Sequence, residues 1–225
     1  MLRMDRRTAI STLIGCPFSQ GAVLAPWVRQ RKGANCFNRR VSPEWIRAAR
    51  EAKIQTVRLS YEKWGGTDYL LGSANDYQQL NPAHLKELLR VLDDFHKAGV
   101  AVVLTPLTLP GARWRQMNGD RRDGRIWREK RFWDQSQKFW RDMAKALKGH
   151  PAIVGLDLYN EPAPEMELGL TGFWSGKHSQ WYEKVRGTAG DLNALHRHLV
   201  EGIRDVDSTV PLIVESGLFG TPWAL

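Results

Sequence analysis

Ala152-Ile153-Val154-Gly155-Leu156-Asp157-Leu158, running straight into Tyr159-Asn160-Glu161-Pro162, is the stretch on which the fold turns. Its first seven residues read as a buried strand, apolar enough to be covered on both faces as parallel strands are. Before it, Trp140, Met143, Ala144 and Leu147 mark one face of a helix that stops at Gly149. An ionisable Glu161 where a buried strand emerges points to a catalytic acid more than to packing. A partly apolar setting raises a carboxyl pKa, and the neighbouring Asn160 amide can fix a ligand hydroxyl.

Working outward, the chain alternates strand and helix from residue 31. Arg31 to Asn35 is a short strand candidate. Ser42-Pro43-Glu44 opens a helix with Ser as cap, Pro at the first position and an acid in the first turn. That helix leads to the strand Thr56 to Ser60. Asn81-Pro82 opens the next, with Leu85, Leu88, Leu89, Leu92 and Phe95 along one face and Gly99 as its stop. Val100 to Pro106 is the third strand. Asp191 caps a helix with Leu192, Leu195, Leu199 and Ile203 inward, and Val210 to Glu215 is the fifth strand.

Such alternation implies a parallel sheet with right-handed crossovers. Helix-to-strand connections are short: Gly99, Gly149 to Pro151, and Val206 to Thr209. Strand-to-helix connections are long: Tyr61 to Leu80, Leu107 to Phe132, and Ala163 to Gly190. One face is trim and the other elaborated, the pattern of a (β/α)8 TIM-barrel enzyme, present here as about five strand–helix units. A doubly wound open sheet is the alternative, but Gly33-Ala34-Asn35-Cys36 offers no glycine-rich phosphate loop after the first strand. In the barrel, Arg58, Glu161 and Glu215 fall at the same end of the sheet. A cation beside two acids is costly unless it pairs with them, so the arrangement reads as a working site. An ion pair that closes the barrel mouth is the structural alternative.

With these residues in place, the chain resembles family 5 of the glycoside hydrolases, a cellulase-like barrel family, from about Lys32 onward. Lys32 to Asn35 resembles the family's opening strand, and Thr56-Val57-Arg58-Leu59 its second, where an Arg is typical. The segment through Pro110-Gly111 resembles the third strand and its loop, His150 to Pro162 is the closest match, and Pro211 to Glu215 resembles the fifth strand. The resemblance implies a retaining hydrolase of β-linked sugars, with Glu161 as general acid and then base. Asn160 would hold the sugar 2-hydroxyl, and Arg58 would orient the nucleophile. Two departures stand out. Leu107 sits where the family commonly has His, which bears on the substrate more than on the reaction. The family's nucleophilic Glu ends a seventh strand, whereas this sequence stops at Leu225, just past the fifth. The expectation is that the chain is the amino-terminal part of a longer protein, with its nucleophile beyond residue 225 and little activity on its own. Glu215 is the other nominee for nucleophile, but it fits a site wall better.

Composition is that of a folded chain of one or two domains: 225 residues, 42% hydrophobic and 25% charged. Ten Trp suggest a large core or flat platforms for sugars. Of the aromatics in the elaborated loops (Trp64, Tyr69, Trp114, Trp127, Trp133, Trp174, Trp181, Tyr182 and Trp223), Trp114 is the first choice for a sugar platform, because it follows Pro110-Gly111 beside Arg113, Arg115 and Gln116. Trp223 is the second. His84, His96, His150, His178, His196 and His198 read as helix-surface residues without metal spacing, so neither metal nor cofactor is expected.

Residues 1-25 read as an export signal and 26-225 as the barrel domain. Arg3, Arg6 and Arg7 precede a short, mostly apolar run to Gly15, which resembles a twin-arginine signal. Leu13-Ile14-Gly15-Cys16 resembles a lipobox that would lipidate Cys16; cleavage near Ala25 is the rival. A periplasmic or extracellular protein, with or without a lipid anchor, follows from either. Only Cys16 and Cys36 occur, so no disulfide framework is implied. The net charge of +9 is scattered apart from Arg121-Arg122 and Arg128 to Arg131, and reads as a solvated basic face rather than a nucleic-acid site. The expected partner is a carbohydrate. A non-catalytic carbohydrate-binding barrel and a basic nucleic-acid binder are the other readings, and the sequence leaves the oligomeric state open.

Overall fold

The computed structural model describes residues 25–37, 41–60, 70–170, 172 and 176–222. Trp64, Tyr69, Trp174, Trp223 and Cys16, with the rest of the export-like segment through residue 24, lie outside the described residues.

Strands β1 (Gly33–Cys36), β2 (Thr56–Leu59), β3 (Ala101–Leu104), β6 (Ile153–Asp157) and β7 (Leu212–Ile213) form a five-stranded sheet in that order. Every neighbouring pair in it is parallel. A two-stranded antiparallel ribbon, β4 (Ala112–Arg113) with β5 (Asp123–Gly124), sits in the long loop after β3. Helices α1 (Pro43–Glu51), α2 (Pro82–Lys97), α3 (Arg131–Leu147) and α6 (Leu192–Arg204) cross between the strands; the short helices α4 (Pro164–Glu167) and α5 (His178–Val185) occupy the loop after β6. Sequential parallel strands with covering helices are the architecture of a (β/α) barrel wall.

Local chemistry fixes the helix ends as the sequence suggests. Ser42 Oγ accepts from the Trp45 N–H, Asn81 accepts from the Ala83 and His84 N–H groups, and Asp191 accepts from the Ala194 N–H. Gly99 and Gly149, just past α2 and α3, take φ of 71° and 74°, a conformation in which a side chain is strained.

The strands sort their side chains by parity. Val57, Leu59, Val102, Leu104 and Leu156 pack with Leu92, Phe95, Phe139 and Trp140 in the helix-facing core. Thr56, Arg58 and Asp157 belong to the opposite face. On that face Gly155 leaves room for Trp27, whose ring a Cβ would meet at 3.1 Å, and the Trp27 indole donates to the Val154 carbonyl at 2.9 Å. Two strands are shorter than the sequence suggests: β3 ends at Leu104, and β7 is two residues long. A register shift between Val102 and Val103 against β6 marks where the β3–β6 ladder is irregular.

Three of the aromatics sought in the elaborated loops turn inward. Trp127, Trp133 and Trp181 are buried, and Trp133 lies in α3, where its indole donates to the Ile126 carbonyl at 2.9 Å. A Trp in a polar stretch still brings a large apolar surface, and here it closes the core beneath the loop.

His196 is likewise not at the surface: it is buried in α6 and its Nε2 has no hydrogen-bond partner. Burial pushes its imidazole from 6.5 down to about 4. The unfolded chain binds this proton near 6.5 and the folded chain does not until about 4, so the stability it contributes above 6.5 is lost as pH falls through 4. The full loss is about 3 kcal/mol at 1.36 kcal/mol per pH unit. His196→Leu should therefore flatten the fall in stability between pH 6.5 and 4, read by urea unfolding at several pH values. Parallel curves for the two proteins would contradict the burial argument.

Candidate active site at the carboxyl ends of the strands

Arg58, third residue of β2, is paired in register with Val103 of β3. It reaches past β3 to Asp157, the last residue of β6. Arg58 Nε and Nη2 donate to Asp157 Oδ2 at 2.8 and 2.5 Å, and Nη2 also donates to Glu215 Oε1 at 2.7 Å. Glu215 stands two residues beyond β7. One guanidinium therefore faces two carboxyl groups, with side-chain exposures of 28% for Arg58, 2% for Asp157 and 19% for Glu215.

Both acids are held above the ordinary carboxyl range. For Asp157 the main cause is burial, opposed by Arg58. For Glu215 it is burial again, followed by the charge of Asp157, with the Glu161 N–H and Arg58 opposing. A single cation offsets the two acidic groups only in part, so each proton affinity depends on the charge of the other and Asp157 and Glu215 titrate as a pair.

The second oxygen of Glu215 carries the arrangement to Glu161: Oε2 accepts the Glu161 backbone N–H at 2.9 Å. Glu161 has φ of 51°, a left-handed conformation uncommon for a residue with a side chain. Such strain persists where surrounding contacts over-determine it. Asn160 and Pro162 on either side are buried while Glu161 is exposed. The partly apolar setting expected for its carboxyl is thus not what the fold provides. Three residues separate Glu161 from the end of β6, and the turn directs it to solvent. The Asn160 amide makes no hydrogen bond to a described residue.

A second support lies behind Glu215. Glu165 of α4 is buried; its Oε2 accepts the Leu218 N–H at 3.1 Å and its Oε1 lies 3.0 Å from His178 Nε2. Leu218 and Phe219 are both left-handed, with φ of 49° and 63°. A Cβ at Gly217 would collide with the Glu165 carboxylate, so only glycine lets the turn approach that closely. Phe219 then stacks on Trp114, with ring centroids 6.1 Å apart.

Beside Glu161 runs a cleft lined by Leu107, Trp114, Arg122, Trp127, Tyr159 and Glu167. Trp114 is thus where a sugar platform was sought, but its ring already has company, with Phe219 stacked on it and the Arg122 guanidinium 5.4 Å from its centroid. Trp223, the other chosen platform, lies outside the described residues. Sequence reasoning picked out Arg58, Glu161 and Glu215, which the fold brings together, and missed Asp157 and Glu165. The signal for Asp157 was available: it is the one charged residue in an apolar strand. Among the described residues, no group of three or more His, Cys, Asp or Glu is placed to hold a metal ion.

Comparison with known proteins bears on this geometry. The family described as Cellulase (glycosyl hydrolase family 5) matches residues 18–222. A beta-xylosidase of Phanerodontia chrysosporium is 23% identical over 205 residues, 88% of this chain and 40% of that protein. The endoglucanase Cel5A of Pseudomonas stutzeri, crystallised with cellobiose, has a TM-score of 0.54 at 18% identity, over 81% of this chain and 44% of its own. A family 5 xyloglucanase of Paenibacillus pabuli has a TM-score of 0.59 at 18% identity, over 84% of this chain and 52% of its own. At these identities the structures share the fold. The chain spans about half the length of the relatives it matches.

Arg58→Met, which keeps the bulk and removes the charge, should destabilise the protein by about 3–5 kcal/mol at pH 7, because it strands buried carboxylates. The penalty should shrink by pH 4, where protonated acids no longer need the cation. Urea unfolding at the two pH values measures it; an equal penalty at both would mean that Arg58 contributes packing and not charge.

Proposed function

The chain belongs to glycosyl hydrolase family 5, and from that membership and the geometry of its mouth we propose that the protein is a retaining glycosidase of β-linked sugars. Glu161 is its general acid and then base. One observation supports this above the rest: Glu161 is presented to solvent on a strained backbone whose N–H is held by the Glu215 carboxyl. Strain of this kind at a strand end is a mark of a functional position.

Each neighbour then has a role. The Asn160 amide, unengaged within the described protein and adjacent to the acid, suits a ligand hydroxyl. Arg58 fixes Asp157 and Glu215 from beneath, and through Glu215 it governs the pose of Glu161. A retaining reaction needs a second carboxylate about 5–5.5 Å from the acid to form the glycosyl-enzyme. Glu215 suits that task poorly, because one oxygen is committed to Arg58 and the other to the Glu161 N–H. We assign Glu215 a positioning role and leave the nucleophile to another carboxylate of the complete enzyme.

Glu161→Gln keeps the shape of the side chain but cannot donate a proton. Turnover of oligosaccharides, whose leaving group is a sugar, should fall by about 10²–10⁴-fold. The first step on an aryl glycoside with an activated phenolate should be largely spared, since that group departs with little help. Rates on the two substrate types, followed across pH, measure this. If the variant loses little on the oligosaccharide, Glu161 is not the acid.

A further inference from the structure

Arg122 stands in the cleft that Glu161 lines, and its guanidinium is underused. Only Nη1 has polar partners, the Met166 thioether at 3.3 Å and Glu167 Oε1 at 3.5 Å. The second of these is at the outer limit of a hydrogen bond. Nε and Nη2 meet no acceptor among the described residues, although the side chain is only 31% exposed. Glu167 is moreover a shared counterion, because its Oε2 also takes Arg128 at 3.4 Å. Two guanidiniums thus divide one carboxylate, and the exposed Arg121 adds a further positive charge next to them.

The pieces fit one ligand chemistry. A guanidinium with an unused planar edge binds a carboxylate or sulfate through paired charge-assisted hydrogen bonds, which neutral hydroxyls match poorly. Arg122 also lies over the Trp114 ring, 5.4 Å from its centroid, and both residues share the cleft with Glu161. A sugar reaching Glu161 along this cleft therefore passes a cation with spare donors.

Resting on the glycosidase reading, we propose that the substrate carries an anionic group near the scissile bond, the carboxylate of a uronic acid or a sulfate ester, and that Arg122 binds it with Arg128 as the companion charge. Leu107, where the family's His is absent, lines the same cleft. Recognition there thus shifts from a neutral donor to a charged one.

The test is a calorimetric titration of the protein with three matched β-linked oligosaccharides: neutral, glucuronate-bearing and sulfated. At low salt at least one acidic member should bind about tenfold or more tighter than the neutral one, and the better acidic arm identifies the group. The preference should shrink in about 0.5 M salt, where the screening length falls well below its low-salt value. It should vanish in Arg122→Gln. Equal affinity for all three, or a preference that survives Arg122→Gln, would overturn the proposal. Should that variant fail to fold, the salt titration of the unsubstituted protein decides: a salt-insensitive preference also overturns it. Equal hydrolysis of neutral and acidic members removes the anionic group while leaving the glycosidase standing. Failure to bind any of the three overturns both.

Discussion

Two acids and one cation inside a sheet form the constraint from which the rest of this mouth follows. Arg58 is the only guanidinium that bonds to Asp157 and Glu215 among the described residues. A buried carboxylate without a counter-charge costs several kcal/mol. The protein meets this with one cation set between both acids, and burial together with their mutual repulsion raises the proton affinity of each. That solution requires β2, β6 and β7 to end at matching heights, which the parallel register supplies: Arg58 faces Val103, and Asp157 is paired with Ile213.

Once Glu215 is fixed, its free oxygen becomes a tool. It accepts the Glu161 N–H and so stabilises a backbone conformation that the local sequence would not choose. Glu165 does the same for the turn after β7, through the Leu218 N–H. The strained residues Glu161, Leu218 and Phe219 are thus each placed beside a carboxyl or a backbone acceptor, since the Phe219 N–H donates to the Pro162 carbonyl at 3.1 Å. Strain is tolerated because a hydrogen bond exists only in the strained form. These hydrogen bonds hold the Glu161 backbone and the turn after β7 in one pose, the kind of support that fixes a side chain's orientation.

The fold was legible because its signals are local. Ser42, Asn81 and Asp191 each cap a helix with their own side chains, and Gly99 and Gly149 end helices by their own conformations. Strand order followed from alternation and from the lopsided loops. Arg58 and Glu215 were found by placing charged residues at strand ends. Asp157 was passed over because the apolar average of its strand hid it, although its parity puts it on the face of Arg58. The exposure and left-handed backbone of Glu161 could not be read from the chain, because they depend on a partner 54 residues away. Trp133, which belongs to α3, and His196 were misplaced for a related reason: polar neighbours in sequence say little about which way a large ring points once helices pack.

The central claim is that Asp157 and Glu215 share charge under Arg58, and that Glu215 thereby controls Glu161. Carbon-13 NMR of the side-chain carboxyls, titrated in the native protein and in Asp157→Asn, tests it most directly. The account predicts that the two resonances move together in coupled steps, with at least one step above the ordinary carboxyl range. It also predicts that Asp157→Asn lowers the Glu215 titration, because the charge that raised it is gone. Two independent titrations in the ordinary range, with Glu215 unmoved by Asp157→Asn, would contradict it.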